Sequence, residues 1–317
     1  MDVKSQRIAY GEALVELGTE HEGIVVLEAD LGKSTMSFMF EEKFPCRYFE
    51  MGIAEANMIS VATGLSLAGK VPFCSTFAVF ATGRAYDQIR VGAIAGLNFN
   101  ICGSSCGLSD FGDGSTHQSV EDIAIMRAIP GMTVLSPADA HQTKKMVRAM
   151  ADHPGPCYIR VNRSDLPILT ESVGEYKIGQ IDVLRDGAES HVVIFATGIM
   201  VSMALEAAEK LAETGIAATV ANVGTIKPLD KAAVLALAAK AELVVTAEEH
   251  SIVGGLGSAI SETLQGNLTR PIRYVGIDDQ FGTSALTYDE LLVHYGLTVE
   301  NIVEAACGRP KTAGGSI

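Results

Sequence analysis

A single carboxylate, Glu55, stands among Ile53, Ala54, Ala56 and Met58 in the stretch FEMGIAEANM (49–58), near the start of an expected helix. It could be a solvated helix-face residue, the usual fate of an isolated Glu, or a polar group aimed into a site. Further along, STFAVFATGRAYDQIR (75–90) holds Phe77 and Phe80 three apart, a spacing that puts two aromatics on one face; core packing is the ordinary reading. The loop GSSCGLSDFGDGSTHQ (103–118) is too polar and glycine-rich to be core, and it gathers Asp110, Asp113 and His117. Long loops between regular elements tend to carry function. Asp113 and His117 could move protons or bind hydroxyls, or could serve only the turn. The GDG at 112–114 invites a phosphate-loop or calcium-loop reading, but no lysine follows it and the EF-hand spacing is absent. Glu248, Glu249 and His250 stand in a row in EEHSIVGG (248–255), after an expected strand, and a structural role is expected there.

These residues need elements to hold them. Short runs rich in β-branched residues alternate with longer segments of helical period, which predicts repeated β-α units on parallel sheets. The clearest strands are expected at 24–28, 99–102, 132–136 and 158–161, with helices around 5–18, 53–68, 79–95, 119–128 and 138–152. From Leu166 to Glu189 the pattern weakens into Pro167, Gly174, Gly179 and Gly187 with mixed charges, the best linker candidate. A second α/β pattern follows, with strands at 191–198 and 217–224 around a helix at 201–213. The expected fold class is two three-layer α/β/α domains with mainly parallel sheets, at 1–166 and 190–317, joined by a linker at 167–189.

Composition excludes other classes. Lys and Arg number 24 against 38 Asp and Glu in 317 residues, a formal charge of −14, which disfavours nucleic acid as a partner. The uncharged run Val91 to Ser109 has membrane-span length, but its glycines, serines and asparagines would leave polar groups unsatisfied in a bilayer, so no membrane partner is expected. Asp2, Glu12 and Glu16 interrupt the N-terminal stretch where a signal peptide needs apolar residues, and a cytoplasmic protein is expected. The six cysteines are scattered singly; Cys102 and Cys106 are four apart, but no second Cys or His pair matches them, so no metal site is expected.

Taken in order, ADLGKST (29–35), FEMGIAEANM, STFAVFATGRAYDQIR, DGSTHQ (113–118), EDIAIMRAIPGMTVLSPADA (121–140) and GPCYIRVNRSDLP (155–167) resemble the pyrimidine-binding domain of the transketolase family, enzymes that use thiamine diphosphate. From about 191 onward, ATGIMVSMALEAAEKL, TIKPLD, EEHSIVGGLGSAI and LLVHYGLT resemble that family's C-terminal domain. The resemblance implies that Glu55 hydrogen-bonds N1′ of the aminopyrimidine, favouring the imino tautomer whose N4′ can take the thiazolium C2 proton. It also implies that Phe77 and Phe80 pack around the pyrimidine, Phe80 most directly. Asp113 and His117 match residues that bind sugar hydroxyls, His117 at the oxygen of the reacting carbon. Arg7, Ser34 and Arg163 match positions that hold the sugar phosphate, and Asp30 matches an acidic residue near the cofactor and a subunit interface.

The chain departs from the family pattern in three places. Ser105 stands where the family often has a histidine that contacts substrate, Gly112 replaces the usual acidic residue before the DG, and Asp110 and Phe111 give the loop a different local pattern. An ordinary pentose phosphate and an unusual sugar, such as a sulfonated or branched one, both remain open. A full transketolase also begins with a diphosphate-binding domain whose GDG and downstream Asn hold Mg²⁺, and the GDG at 112–114 lies in the wrong domain for that. The resemblance therefore implies the C-terminal subunit of a split transketolase, completed by a separate N-terminal subunit that binds Mg²⁺, in a symmetric α₂β₂ assembly. Alternatives are a subunit of another thiamine-diphosphate enzyme, like deoxyxylulose-phosphate synthase or the β chain of a 2-oxo acid dehydrogenase, and a non-catalytic scaffold or regulator.

Overall fold

The protein is described by a computed structural model covering residues 2–187 and 191–308. The domain boundary expected at 189–190, and the last nine residues of the expected second domain, lie outside the described residues.

The first half is built on a seven-stranded sheet of order Thr225–Lys227, Thr133–Leu135, Cys157–Val161, Asn100–Ser104, Val71–Phe77, Ile24–Glu28 and Tyr48–Glu50. All neighbours are parallel except Thr225–Lys227, a strand lent by the second half that runs antiparallel to Thr133–Leu135. Both faces are covered, as in a doubly wound sheet. Along Ile24–Glu28, Val25 and Leu27 pack under helices Glu55–Leu67 and Tyr86–Ile94, while Ile24 and Val26 pack with Tyr10, Leu14 and Met146 on the other side. The second half carries a five-stranded sheet, parallel through Ile272–Ile277, Leu243–Ser251, Val192–Ala196 and Ala218–Asn222, with Asp182–Arg185 antiparallel at its edge. That edge strand falls within the stretch expected as linker. The helix expected over 79–95 is two helices, Ala78–Arg84 and Tyr86–Ile94, interrupted at Ala85. No helix among the described residues is long and apolar enough to cross a membrane.

Side-chain caps set several helix starts. Ser5 accepts from the Ile8 N–H to open Gln6–Glu20, and Asp139 accepts from the Gln142 N–H to open Ala140–Asp152. The Asp139 carboxylate also takes N–H groups from Leu169 and Thr170, which fixes the chain leaving the first sheet.

A fully buried polar network joins the two halves. Arg160 grips Asp122 in two hydrogen bonds of 2.9 and 3.0 Å, Tyr158 donates to the same carboxylate at 2.7 Å, and Arg160 also reaches the Glu249 carbonyl. The Glu249 carboxylate accepts from Tyr288, Asn162 and the Leu108 N–H. Glu248 accepts the N–H groups of Leu256 and Gly257 at the start of helix Leu256–Leu264. His250 lies two residues beyond Glu248, receiving the Ala124 N–H at Nε2. The three residues lie inside the strand Leu243–Ser251 rather than after one, and their contacts are structural.

Burial pushes Glu248 and Glu249 up to about 7 and Glu28 up to about 8, from an ordinary 4.5. For Glu249 burial outweighs the opposing pull of Arg160. Between the ordinary value and these, the folded chain binds more protons than the unfolded one, so their contribution to stability falls as pH rises through that window. Burial pushes His250 down to about 4 from 6.5, so its contribution has the opposite sign but is complete by pH 6.5. The melting temperature is therefore expected to be several degrees higher at pH 6.5 than at pH 8.5, read by calorimetry at constant ionic strength. A flat or rising profile would show that these carboxyls are charged throughout.

Candidate active site

The residues singled out in the first half collect at the carboxyl ends of the parallel strands, where open α/β sheets build their sites. Phe77 closes Val71–Phe77, Ser105 follows Asn100–Ser104, Arg163 lies two residues past Val161, and Asp30 lies two past Glu28. The chain crosses the sheet edge here on its way into each helix, so side chains from distant segments meet.

Glu55 is the first residue of helix Glu55–Leu67 and is 4 % exposed. The solvated reading of this residue is therefore set aside. As an acidic residue in the first turn it lies at the positive end of the helix dipole. Its side-chain partner is Arg84, whose Nη1 donates to Oε1 at 2.7 Å. The Arg84 guanidinium also lies over the Phe80 ring, its Cζ 4.0 Å from the ring centroid. Phe77 is buried at the strand end, whereas Phe80 is half-exposed and stacked near it with ring centroids 5.9 Å apart. The His117 ring meets Phe80 edge-on at 5.3 Å and Phe77 at 6.2 Å, and the Thr116 hydroxyl pairs with its Nδ1 at 3.0 Å. Asp113 is exposed on the same loop.

Arg84 indicates what this corner accepts. A planar cationic N–H donor lies against Phe80 while bonded to Glu55. A flat nitrogen heterocycle with a ring nitrogen toward Glu55 and a face toward Phe80 has the same requirements, so these residues fit an aminopyrimidine. Sequence reasoning overlooked Arg84, although its position four residues after Phe80 on one short helix was a usable signal.

A second corner is basic. Arg7, in the first turn of Gln6–Glu20, donates from Nη1 to the Ser34 carbonyl at 2.8 Å, so it is the backbone of Ser34 rather than its hydroxyl that meets the guanidinium. Burial and the neighbouring charge of Arg163 both lower the Arg7 pKa, in that order of size. Arg163 is paired with Asp110, Nη1 to Oδ2 at 2.9 Å. Burial raises the Asp110 pKa against the opposing pull of Arg163. Ser105 takes a positive φ of 52°; its hydroxyl is fully buried, makes no well-formed hydrogen bond, and stabilises the charged form of Asp110. Asp30 stands apart: it is exposed, has φ 60°, and gives its N–H to Glu50 Oε1.

The fold and these two corners describe an α/β chain with a buried carboxylate joined through Arg84 to an aromatic pair, and with a pair of arginines. Residues 3–168 match the transketolase pyrimidine-binding domain and residues 179–302 match the transketolase C-terminal domain. The chain belongs to the transketolase family. It is 44 % identical over 305 residues to a transketolase C-terminal section from Methanocaldococcus jannaschii, covering 95 % of each chain. It is 45 % identical over 301 residues to a 6-deoxy-6-sulfo-D-fructose transketolase subunit from a Clostridium species, covering 95 % of this chain and 92 % of that one. Among solved structures, a split-gene transketolase described as an inactive β₄ tetramer superposes with a TM-score of 0.86 at 45 % identity, covering 96 % of this chain and 97 % of that one.

Proposed function

We propose that this chain is the C-terminal subunit of a thiamine-diphosphate-dependent transketolase. With a separate N-terminal subunit it moves a two-carbon ketol unit from a ketose bearing a terminal anion, a phosphate in the ordinary case, to an aldose. The observation that carries the reading is the Glu55–Arg84–Phe80 stack, which meets the needs of an aminopyrimidine at a buried carboxyl. Near end-to-end similarity to a C-terminal section and to a transketolase subunit supports the two-chain arrangement.

When bound, thiamine diphosphate supplies the carbon nucleophile and the electron sink for carbon–carbon cleavage. Glu55 holds a proton at the ring nitrogen N1′, and Phe80, backed by the buried Phe77, fixes the plane of the ring. Arg84 swings off Glu55 to admit it. His117, edge-on to both aromatic rings, moves a proton at the oxygen of the reacting carbon. Asp113 accepts from a sugar hydroxyl, and Arg7 and Arg163 hold the terminal anion with Ser34 and Ser105 shaping the walls. Asp30 belongs to the cofactor's outer surroundings at the subunit boundary. Mg²⁺ is assigned to the partner subunit, whose diphosphate-binding domain would carry the family's GDG and downstream Asn, and no step here runs through it.

The exposed apolar residues Ile53, two before Glu55, and Tyr86, two after Arg84, support an interface next to the site, as an α₂β₂ enzyme with sites between unlike chains requires. The name of the clostridial relative supports a sulfonated ketose as a second donor. Mixing the chain with an N-terminal subunit that carries the diphosphate-binding domain, thiamine diphosphate and Mg²⁺ is expected to give ketol transfer from xylulose 5-phosphate or its sulfonated counterpart, with each chain silent alone. No transfer with either donor, or turnover by this chain alone, would overturn the reading.

A further inference from the structure

We propose that Asp110 sets the charge preference of the basic corner, tuning it to a sugar whose terminal group carries one negative charge, as a sulfonate does, over a dianionic phosphate. The inference rests on reading Arg7 and Arg163 as the holders of that terminal group.

Two guanidiniums alone would give the corner two positive charges, well matched to a phosphate dianion. Asp110 removes one of them. Its carboxylate is bonded to Arg163 at 2.9 Å and the residue is only 3 % exposed, so it is a fixed part of the site rather than a loose surface counter-ion. The loop that carries it is anchored: the Asp110 carbonyl accepts from the Gly114 N–H and from Gln118 Nε2, and the same Gln118 amide reaches the Thr283 carbonyl of the second domain. Arg163 keeps its remaining donors and is 37 % exposed at the side chain, so it can receive a ligand without leaving Asp110. Arg7 brings a buried Nε with no hydrogen-bond partner among the described residues, a donor that awaits an acceptor.

The surrounding charge points the same way. Asp165 lies near enough to act on Arg7, and Asp113 acts on Asp110 against the weaker opposing effect of His117, so further carboxylates border the arginines. A second charge on the ligand would be pressed against these carboxylates. A sulfonate presents three tetrahedral oxygens to the same donors with half the charge of a phosphate dianion, and so keeps the hydrogen bonds while meeting less repulsion.

The test measures binding and turnover separately. With the two-chain enzyme at pH 8 and fixed ionic strength, methyl phosphate and methanesulfonate are titrated by NMR, and kcat/KM is compared for donors differing only in a terminal phosphate or sulfonate. Asp110→Asn, which keeps an oxygen toward Arg163 without the charge, should shift the binding ratio toward methyl phosphate by roughly tenfold, the scale of one pKa unit of charge interaction. Asp110→Ser should shift it the same way, and the melting temperature of each variant shows whether it has folded. An unchanged ratio in the folded variants overturns the proposal. So does an equal loss of both anions, which would make Asp110 only a group that positions Arg163. A shifted binding ratio without ketol transfer from any donor would instead count against the functional reading and leave the charge assignment standing.

Discussion

Glu55→Gln is expected to lower ketol transfer by the reconstituted enzyme by about 10²–10⁴-fold, the range that a positioned acid–base group contributes, while moving the melting temperature of the chain by only a degree or two. The two halves of this expectation have separate causes. Glutamine preserves the shape of the side chain at the helix start and can still accept from Arg84, and that pair is half open to water on the arginine side, so its loss costs little. What glutamine cannot do is give and take a proton at the ring nitrogen of a bound aminopyrimidine. Turnover is measured at saturating thiamine diphosphate, so that a binding defect does not masquerade as a chemical one. If kcat falls less than threefold, Glu55 has no proton role and the candidate site is misread. If the melting temperature collapses as well, the residue is holding the helix, and Glu55→Asp with normal stability becomes the discriminating variant.

The legible part of this molecule was whatever depended on local pattern. Ile24–Glu28, Cys157–Val161 and Met200–Glu213 follow their hydrophobic runs within a few residues. Val71–Phe77 is an interior strand that the pattern did not mark, because VPFCSTF holds a proline and three small polar or thiol residues in place of β-branched alternation. Pro72 fits because it sits second in the strand, near its end. The strand Thr225–Lys227 was invisible for another reason: it pairs with Thr133–Leu135 across some ninety residues, and no local signal specifies such a pairing. The same division runs through the site. On pattern alone Glu55 reads as an exposed helix residue, since its burial is decided by the aromatic strand end and Arg84 that fold against it. Phe77 and Phe80 share a face in sequence but differ in the fold, one buried and one half-open, which sequence spacing cannot separate. The Asp110–Arg163 pair lies 53 residues apart in the chain and is set by two loops meeting at the sheet edge.

Arg160→Met is expected to destabilise the chain by about 3–5 kcal/mol, the cost of stripping one partner from a buried ion pair. Arg160 and Asp122 are both essentially inaccessible, with side-chain exposures of 2 % and 0 %. Removing the guanidinium strips Asp122 of two hydrogen bonds while keeping the one from Tyr158, and leaves the Glu249 carbonyl without the two N–H groups it receives across the domain boundary. Methionine fills much of the volume, so the loss is electrostatic rather than a cavity effect. That distinction makes the double variant decisive. Asp122→Leu with Arg160→Met removes both charges, and replacing a buried pair by apolar groups is often close to neutral; more than half of the lost stability should return, giving a coupling of about 2 kcal/mol or more in a double-mutant cycle. Denaturant unfolding of all four proteins measures it. If the single variant costs under 1 kcal/mol, water reaches the network in solution and the Arg160–Asp122 pair adds little to the junction. If the double variant is as unstable as the single one, the hydrogen bonds to Tyr158 and the Glu249 carbonyl carry the junction, and the charges contribute little.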